Sequence, residues 1–207
     1  MNPYVVRQGD FLTKLAIQHG FDAEEVWNHP KNESLRSVRA SPDVLCPGDV
    51  LYLPPPRPKT WHPLTVGGDN RFVATVPVIK VSLKLTAEGA PLANKACRVE
   101  GAGPVLQLTT GGDGSLAFSV PMSATILALV FDDPPLRYSL CPGWMDPDTT
   151  ASGVGARLAN LGYVDQTAVH PDVIADALRA FQADNGIEPT GIMAEATRKA
   201  LVGAHGH

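Results

Sequence analysis

The sequence has only three cysteines, no segment of concentrated positive charge and no apolar run of the ~18 residues a membrane-crossing helix needs. Cys46, Cys97 and Cys141 are an odd set with no close pair, so neither a disulfide framework nor a zinc site is written in their spacing. They read as scattered, partly buried small hydrophobes, with a single disulfide left open as the alternative. Lys and Arg balance Asp and Glu over residues 1–60, while residues 61–147 carry a net charge of −1 and residues 148–207 a net charge of −3. No basic stripe exists to track a phosphate backbone, which excludes nucleic acid as the expected partner. The same lack argues against an anionic membrane surface, and no membrane insertion is expected. Met1-Asn2-Pro3 runs straight into Tyr4-Val5-Val6 without a basic start or an apolar stretch. The expectation is a chain made in the cytoplasm without a signal peptide.

Catalytic patterns are missing as well. The six histidines are scattered, and only His205 and His207 are close, in a tail. No nucleophile elbow or phosphate loop occurs. The adjacent carboxylates Glu24-Glu25 and Asp132-Asp133 read as solvated surface charge rather than as a glycosidase pair. The cysteines lack the histidine- and glycine-rich context of a transpeptidase nucleophile. The expectation is therefore no enzyme, no catalytic residue, no metal and no cofactor.

What is present is punctuation. Nineteen prolines and nineteen glycines gather at definable joints, and they divide the chain into several domains. The expected architecture is multidomain α+β, with domains at 1–54, 61–147 and 148–207 and a Pro-rich linker at 55–60. In the first, Tyr4-Val5-Val6 is a short strand stopped by Gly9-Asp10. Phe11, Leu12, Leu15 and Ala16 follow at helical spacing up to Gly20. Asp22 can cap a second helix through Trp27, ending near Pro30. After a polar stretch, Pro47-Gly48-Asp49 turns into the strand Val50–Leu53, giving the order strand, helix, helix, strand. Pro54-Pro55-Pro56-Arg57-Pro58 favours a stiff polyproline spacer.

Tyr4-Val5-Val6-Arg7-Gln8-Gly9-Asp10-Phe11-Leu12, then Trp27-Asn28, then Leu45-Cys46-Pro47-Gly48-Asp49-Val50-Leu51-Tyr52-Leu53-Pro54 resembles a LysM domain along its whole length. That resemblance implies a βααβ fold that binds N-acetylglucosamine-containing glycan in a shallow groove. It implies one wall from Gly9, Asp10, Phe11 and Leu12, and the other from Asn28, His29 and Pro30. Phe11 stands where the family usually has threonine, and the stretch 31–44 is longer than the family pattern.

Residues 61–147 read as an all-β, sandwich-like domain. Short runs rich in Val, Leu and Thr lie at Arg71–Val76, Ile79–Thr86, Ala96–Glu100, Val105–Thr110, Leu116–Val120 and Thr125–Phe131, with Asp113-Gly114 as a hairpin turn. Gly89-Ala90-Pro91-Leu92-Ala93 followed by the Thr110–Ser115 turn resembles transthyretin-like and carboxypeptidase-regulatory-like sandwiches, which act as spacers or docking surfaces.

The last segment carries three amphipathic helical stretches, with Val154, Leu158 and Leu161 on the first and Ile174, Ala177, Leu178 and Phe181 on the second. Asp172 is the expected cap of the second and Gly186 its end, and Ala196, Ala200 and Leu201 lie on the third. Leu158-Ala159-Asn160-Leu161-Gly162-Tyr163, Ala177–Ile187, and Thr190-Gly191 with Thr197 and Leu201 resemble the peptidoglycan-binding domain 1 family. The resemblance implies a three-helix bundle that holds peptidoglycan, with Gln182, Asn185, Thr190 and Gly191 as groove residues. Asp165–Pro171 departs from the family's usual glycine-rich turn before the second helix.

Together these readings give a non-catalytic, carbohydrate-binding adaptor for peptidoglycan, acting at the cell wall or periplasm. The alternative is a structural part of a type VI secretion or related contractile injection system that binds a spike protein or effector. The pairing of the two terminal domains and the variant stretch Trp27–Val44 resemble accessory proteins of such systems. Delivery by the injection system would supply the route to the wall.

Overall fold

Alternating residues in Asn2–Val5 (β1) and Val50–Leu53 (β2) build a two-stranded antiparallel ribbon with Tyr4 opposite Leu51 and Val5 opposite Val50. The structure is a computed structural model that describes residues 1–56, 63–72, 76–87, 89–165 and 170–205. Between the two strands lie α1 (Leu12–His19) and α2 (Ala23–Asn28). Asp22 caps α2 by accepting the Glu25 amide at 2.8 Å. Leu12, Leu15, Val26, Leu51 and Leu53 from these elements meet in one core with Leu45 from the loop before β2.

The polar stretch after α2 is more ordered than its composition suggests. Pro30–Asn32 forms a 3-10 turn, and α3 (Glu33–Arg36) follows it. Asn32 makes this possible. It is fully buried, and its amide donates to the carbonyls of Val26 (2.8 Å) and Tyr52 (3.1 Å) and accepts the Tyr52 amide at 2.7 Å. A buried amide satisfied on both ends ties the insert to β2. Further on, Arg39 grips Asp49 through two 2.8 Å bonds, and Asp49 also accepts the Cys46 amide at 2.8 Å. Burial pushes the Asp49 carboxyl up, but Arg39 and the Cys46 amide outweigh it and hold the group below its ordinary value.

The middle of the chain supplies β3 (Val78–Lys84), β4 (Thr86–Ala87), β5 (Ala90–Pro91), β6 (Ala96–Glu100), β7 (Leu106–Thr109), β8 (Ser115–Pro121), β9 (Leu127–Phe131) and β10 (Leu136–Leu140). β3 pairs with β8, and a second antiparallel sheet runs β10-β9-β6-β7. Cys97, Val99, Leu116, Phe118, Val120, Leu129 and Phe131, drawn from both sheets, share one core. Two expectations change here. β10 was not foreseen, and it pairs with β9 through Tyr138 opposite Leu129. The strand expected over Arg71–Val76 lies partly outside the described residues, and Arg71, Phe72 and Val76 are not in a strand. Of the expected linker, residues 57–60 are also outside the described set.

The chain ends in α4 (Ala151–Asn160), α5 (Pro171–Asp184) and α6 (Glu195–His205), which share a core of Val154, Leu158, Ala177, Leu178, Phe181 and Leu201. The cap of α5 is His170, not Asp172: Pro171 starts the helix two residues earlier than an Asp172 cap would, and His170 Nδ1 accepts the Asp172 amide at 3.3 Å. On α6 Leu201 and Ala200 face the core, but in the first turn the inward residue is Thr197, fully buried, whereas Ala196 faces out. Of the departure at Asp165–Pro171, residues 166–169 lie outside the described set. Among the described residues no helix is long and apolar enough to cross a membrane.

Candidate functional site

Gln182 was expected on a groove wall, and its environment corrects that reading. The side chain is 1% exposed. Its Oε1 accepts the Gly191 amide at 2.8 Å, and its Nε2 donates to the Ile192 carbonyl and the Thr197 hydroxyl, each at 2.9 Å. It is an internal brace that joins α5 to the Thr190–Ile192 turn and to α6. The groove residues that do reach the surface are Asn185 and Thr190, with Gly191 partly covered. Asn185 closes α5 by donating from Nδ2 to the Phe181 carbonyl at 2.8 Å, and Thr190 Oγ1 accepts the Ile192 amide at 3.2 Å.

Two further groups of this unit reach the surface, and both were missed from the sequence. Tyr163 lays its ring edge-on against Phe181, with centroids 5.4 Å apart, and donates its hydroxyl to Asp184 at 3.0 Å. Burial, and then this bond, raise the Tyr163 pKa above its ordinary value. The signal was available in part, because Tyr163 closes the Leu-Gly-Tyr motif, but nothing local links it to Asp184. Ile192 stands 68% exposed beside Thr190. The exposed groups at the end of α5 and in the turn after it are thus a carboxylate (Asp184), an amide (Asn185), a hydroxyl (Thr190) and one apolar side chain (Ile192).

Residues 154–201 match the family model described as a putative peptidoglycan binding domain. The matched stretch begins inside α4 and ends inside α6, so it includes the Gln182 brace, Tyr163 and the Asn185–Ile192 surface. It makes peptidoglycan the partner consistent with these helices and points to action at the cell wall. Neither the curated proteins nor the solved structures gave a match to this chain.

The residues expected to line a groove in the first unit have a different setting. Gly9, Asp10 and Phe11 form the turn from β1 into α1, where the Asp10 carboxylate and the Gly9 carbonyl are engaged. Asp10 accepts the Tyr4 hydroxyl at 2.7 Å and the Arg7 amide at 2.9 Å. Burial and this bond raise the Tyr4 pKa to about 12. The Gly9 carbonyl accepts Lys14 Nζ at 2.7 Å. Leu12 is fully buried in the core, and its amide donates to the Pro42 carbonyl at 3.1 Å. Asp43 holds both the amide and the hydroxyl of Thr13 at 2.9 Å, serving the α1 N-terminus from thirty residues away. Leu12 is thus a core residue rather than a wall.

The second expected wall is committed to turning the chain. Asn28 is the last residue of α2 and Pro30 the first of the 3-10 turn, both exposed. His29 Nδ1 accepts the Lys31 amide at 3.2 Å, and its carbonyl accepts from Arg36 at 3.0 Å. The hydrogen-bonded neighbour of Gly9–Thr13 is Pro42-Asp43, not Asn28–Pro30.

A third segment also sits on this turn. Gln8 Nε2 donates to the Trp144 carbonyl at 3.1 Å. The Trp144 indole lies against Gly9 so closely that a Cβ there would come within 2.9 Å of Nε1. Gly143 lies on Phe11 in the same manner: a Cβ would meet the ring at 2.8 Å. Phe11 is 8% exposed as a result. Further along the same segment, a cavity of about 240 Å³ lies between Arg36–Ala40 and Pro147–Thr149. Among the described residues no three His, Cys, Asp or Glu side chains are grouped to hold a metal ion, and Cys46, Cys97 and Cys141 are free thiols.

Proposed function

We propose that this chain is a non-catalytic adaptor that binds peptidoglycan at the cell wall through its C-terminal helices. The match over residues 154–201, on three helices that share one core, carries the reading. Carbohydrate binding belongs in this proposal to the exposed side chains at the end of α5 and in the turn after it, Asp184, Asn185, Thr190 and Ile192. The acidic balance of residues 148–207 suits a ligand read by hydrogen bonds and sugar-face packing rather than by positive charge. The test is co-sedimentation of the full chain with purified sacculi. Pelleting is expected, and the double substitution Asp184→Ala with Asn185→Ala should weaken it about fivefold or more, roughly 1 kcal/mol. A chain that stays entirely in the supernatant sinks the proposal.

A second reading draws on the first unit. Its LysM-like groove is lined by groups already bonded within the chain, which favours protein contacts over sugar for that half. The chain would then serve as a component of a type VI secretion or related contractile injection system, carrying the wall-binding helices beside a spike protein or effector. Capture of a purified spike component by the full chain is the discriminating measurement.

A further inference from the structure

The segment Cys141–Thr149, which joins β10 to α4, packs on the N-terminal unit at Gly143 and Trp144 and faces it across a cavity at Pro147–Thr149. At one end Gly143 covers Phe11 and Trp144 covers Gly9, with Gln8 bonded to the Trp144 carbonyl at 3.1 Å. The Trp144 amide donates back to the Cys141 carbonyl at 3.1 Å, so the covering piece is a closed turn. Further along, Asp146 approaches Cys46: burial first, and then this carboxylate, push the Cys46 thiol up. The opposite side of the segment is fixed to α4. Ser152 donates to Asp146 Oδ2 at 2.6 Å, Arg157 to the Asp146 carbonyl at 2.8 Å, and Thr150 to the Pro147 carbonyl at 2.7 Å. Gly153 lacks a Cβ where one would collide with the Asp146 and Pro147 carbonyls.

We propose that the N-terminal unit holds the Cys141–Trp144 turn as an internal ligand and so acts as a clamp on the wall-binding helices, not as a second sugar reader. The turn occupies the place where an amino sugar would have to approach Gly9–Leu12. A glycan entering there would have to lift the Trp144 ring and Gly143, and the Leu12 and Thr13 amides and the Gly9 carbonyl beneath would still be held by Pro42, Asp43 and Lys14. An occupant tethered in the same chain competes at an effective concentration near the millimolar range, which a single weak sugar contact does not overcome. Because the segment is bonded to α4 on its other side, seating the turn also fixes where the helices of the C-terminal unit stand.

This assignment is independent of wall binding by residues 154–201, and the two fail separately. The test uses the full ¹⁵N-labelled chain with chitohexaose as probe. In the unsubstituted protein the Gly9–Leu12 amide signals should not move at millimolar sugar. In Trp144→Ala, whose lost ring is 43% exposed, amide exchange at Gly9 and Phe11 should accelerate about tenfold as the turn lifts. Residual dipolar couplings of residues 2–53 and 151–201, which should fit one alignment tensor before substitution, should then require two. New chitohexaose shifts appearing only in Trp144→Ala would also support the clamp. Should Trp144→Ala fail to fold, Gln8→Ala removes only an exposed bond and should move the same readouts in the same direction by a smaller factor. Chitohexaose shifts at Gly9–Leu12 of the unsubstituted protein with the Trp144 signal unmoved would overturn the proposal. So would unchanged exchange and a single tensor in a folded Trp144→Ala or Gln8→Ala protein.

Discussion

Gln182 follows Phe181 on α5 and lies one turn beyond Leu178, where the helical period asks for an inward side chain. Its polarity argued for the surface, yet three partners brought from the Thr190–Ile192 turn and α6 make the interior tolerable. No sequence pattern reports those partners. Gln182→Ala leaves the Gly191 amide and the Thr197 hydroxyl buried without it and opens a cavity. A loss of about 2–4 kcal/mol is expected for the C-terminal helices, read as faster amide exchange at Leu178 and Leu201. Asp49 is a second residue whose weight comes from its neighbours. Its pKa is held below the ordinary value in the folded chain, so its contribution to stability is complete above the unfolded pKa of ~3.9 and is lost as pH falls through the folded one. Exchange protection of Val6 and Leu51 should therefore drop on acidification below about pH 4. In Asp49→Asn that acid dependence should flatten while protection at neutral pH falls by about 3 kcal/mol, the cost of leaving half-buried Arg39 without its partner.

Elements whose ends carry their own signals were legible: Asp22 starts α2, Gly20 ends α1, and Val81, Leu83 and Leu85 alternate with polar residues in and just after β3. α3 and β10 were not, because each is held from afar, α3 by the Asn32 amide against β2 and β10 by its register with β9. The same distinction decides what a glycine means inside a helix. By intrinsic propensity, Gly→Ala in a helix gains about 0.5–1 kcal/mol. Gly203 on α6 has nothing within 4 Å of a built Cβ, so Gly203→Ala should show that gain. Gly153 on α4 faces the Asp146 and Pro147 carbonyls, so Gly153→Ala should reverse the sign and destabilise by about 1–3 kcal/mol, the usual cost of overpacking. Paired thermal melts of the two variants measure this directly. A stabilised Gly153→Ala would mean that the Cys141–Thr149 segment does not bear on α4.

Across the whole molecule, the occupant of the first unit's turn lies more than a hundred residues downstream of it, which is why the sequence presented two equivalent wall-binding ends. Gly9 and Asp10 keep the motif, but the Trp144 ring lies against Gly9, and Asp43 takes the Thr13 amide beside them. On the proposed reading, in which one acidic unit of net charge −3 does the binding, the long-range field of that unit opposes a wall whose stem peptides carry carboxylates. Salt then has a predictable sign. Raising ionic strength from about 10 mM to 150 mM shortens the screening length from ~30 Å to ~8 Å and removes repulsion before it touches hydrogen bonds at the Asn185–Ile192 surface. Sacculus pelleting should hold constant or strengthen by up to about twofold over that range. A several-fold fall would instead mean that lysine and arginine side chains read an anionic polymer, as counterion release requires, and the sugar-facing surface would lose its role.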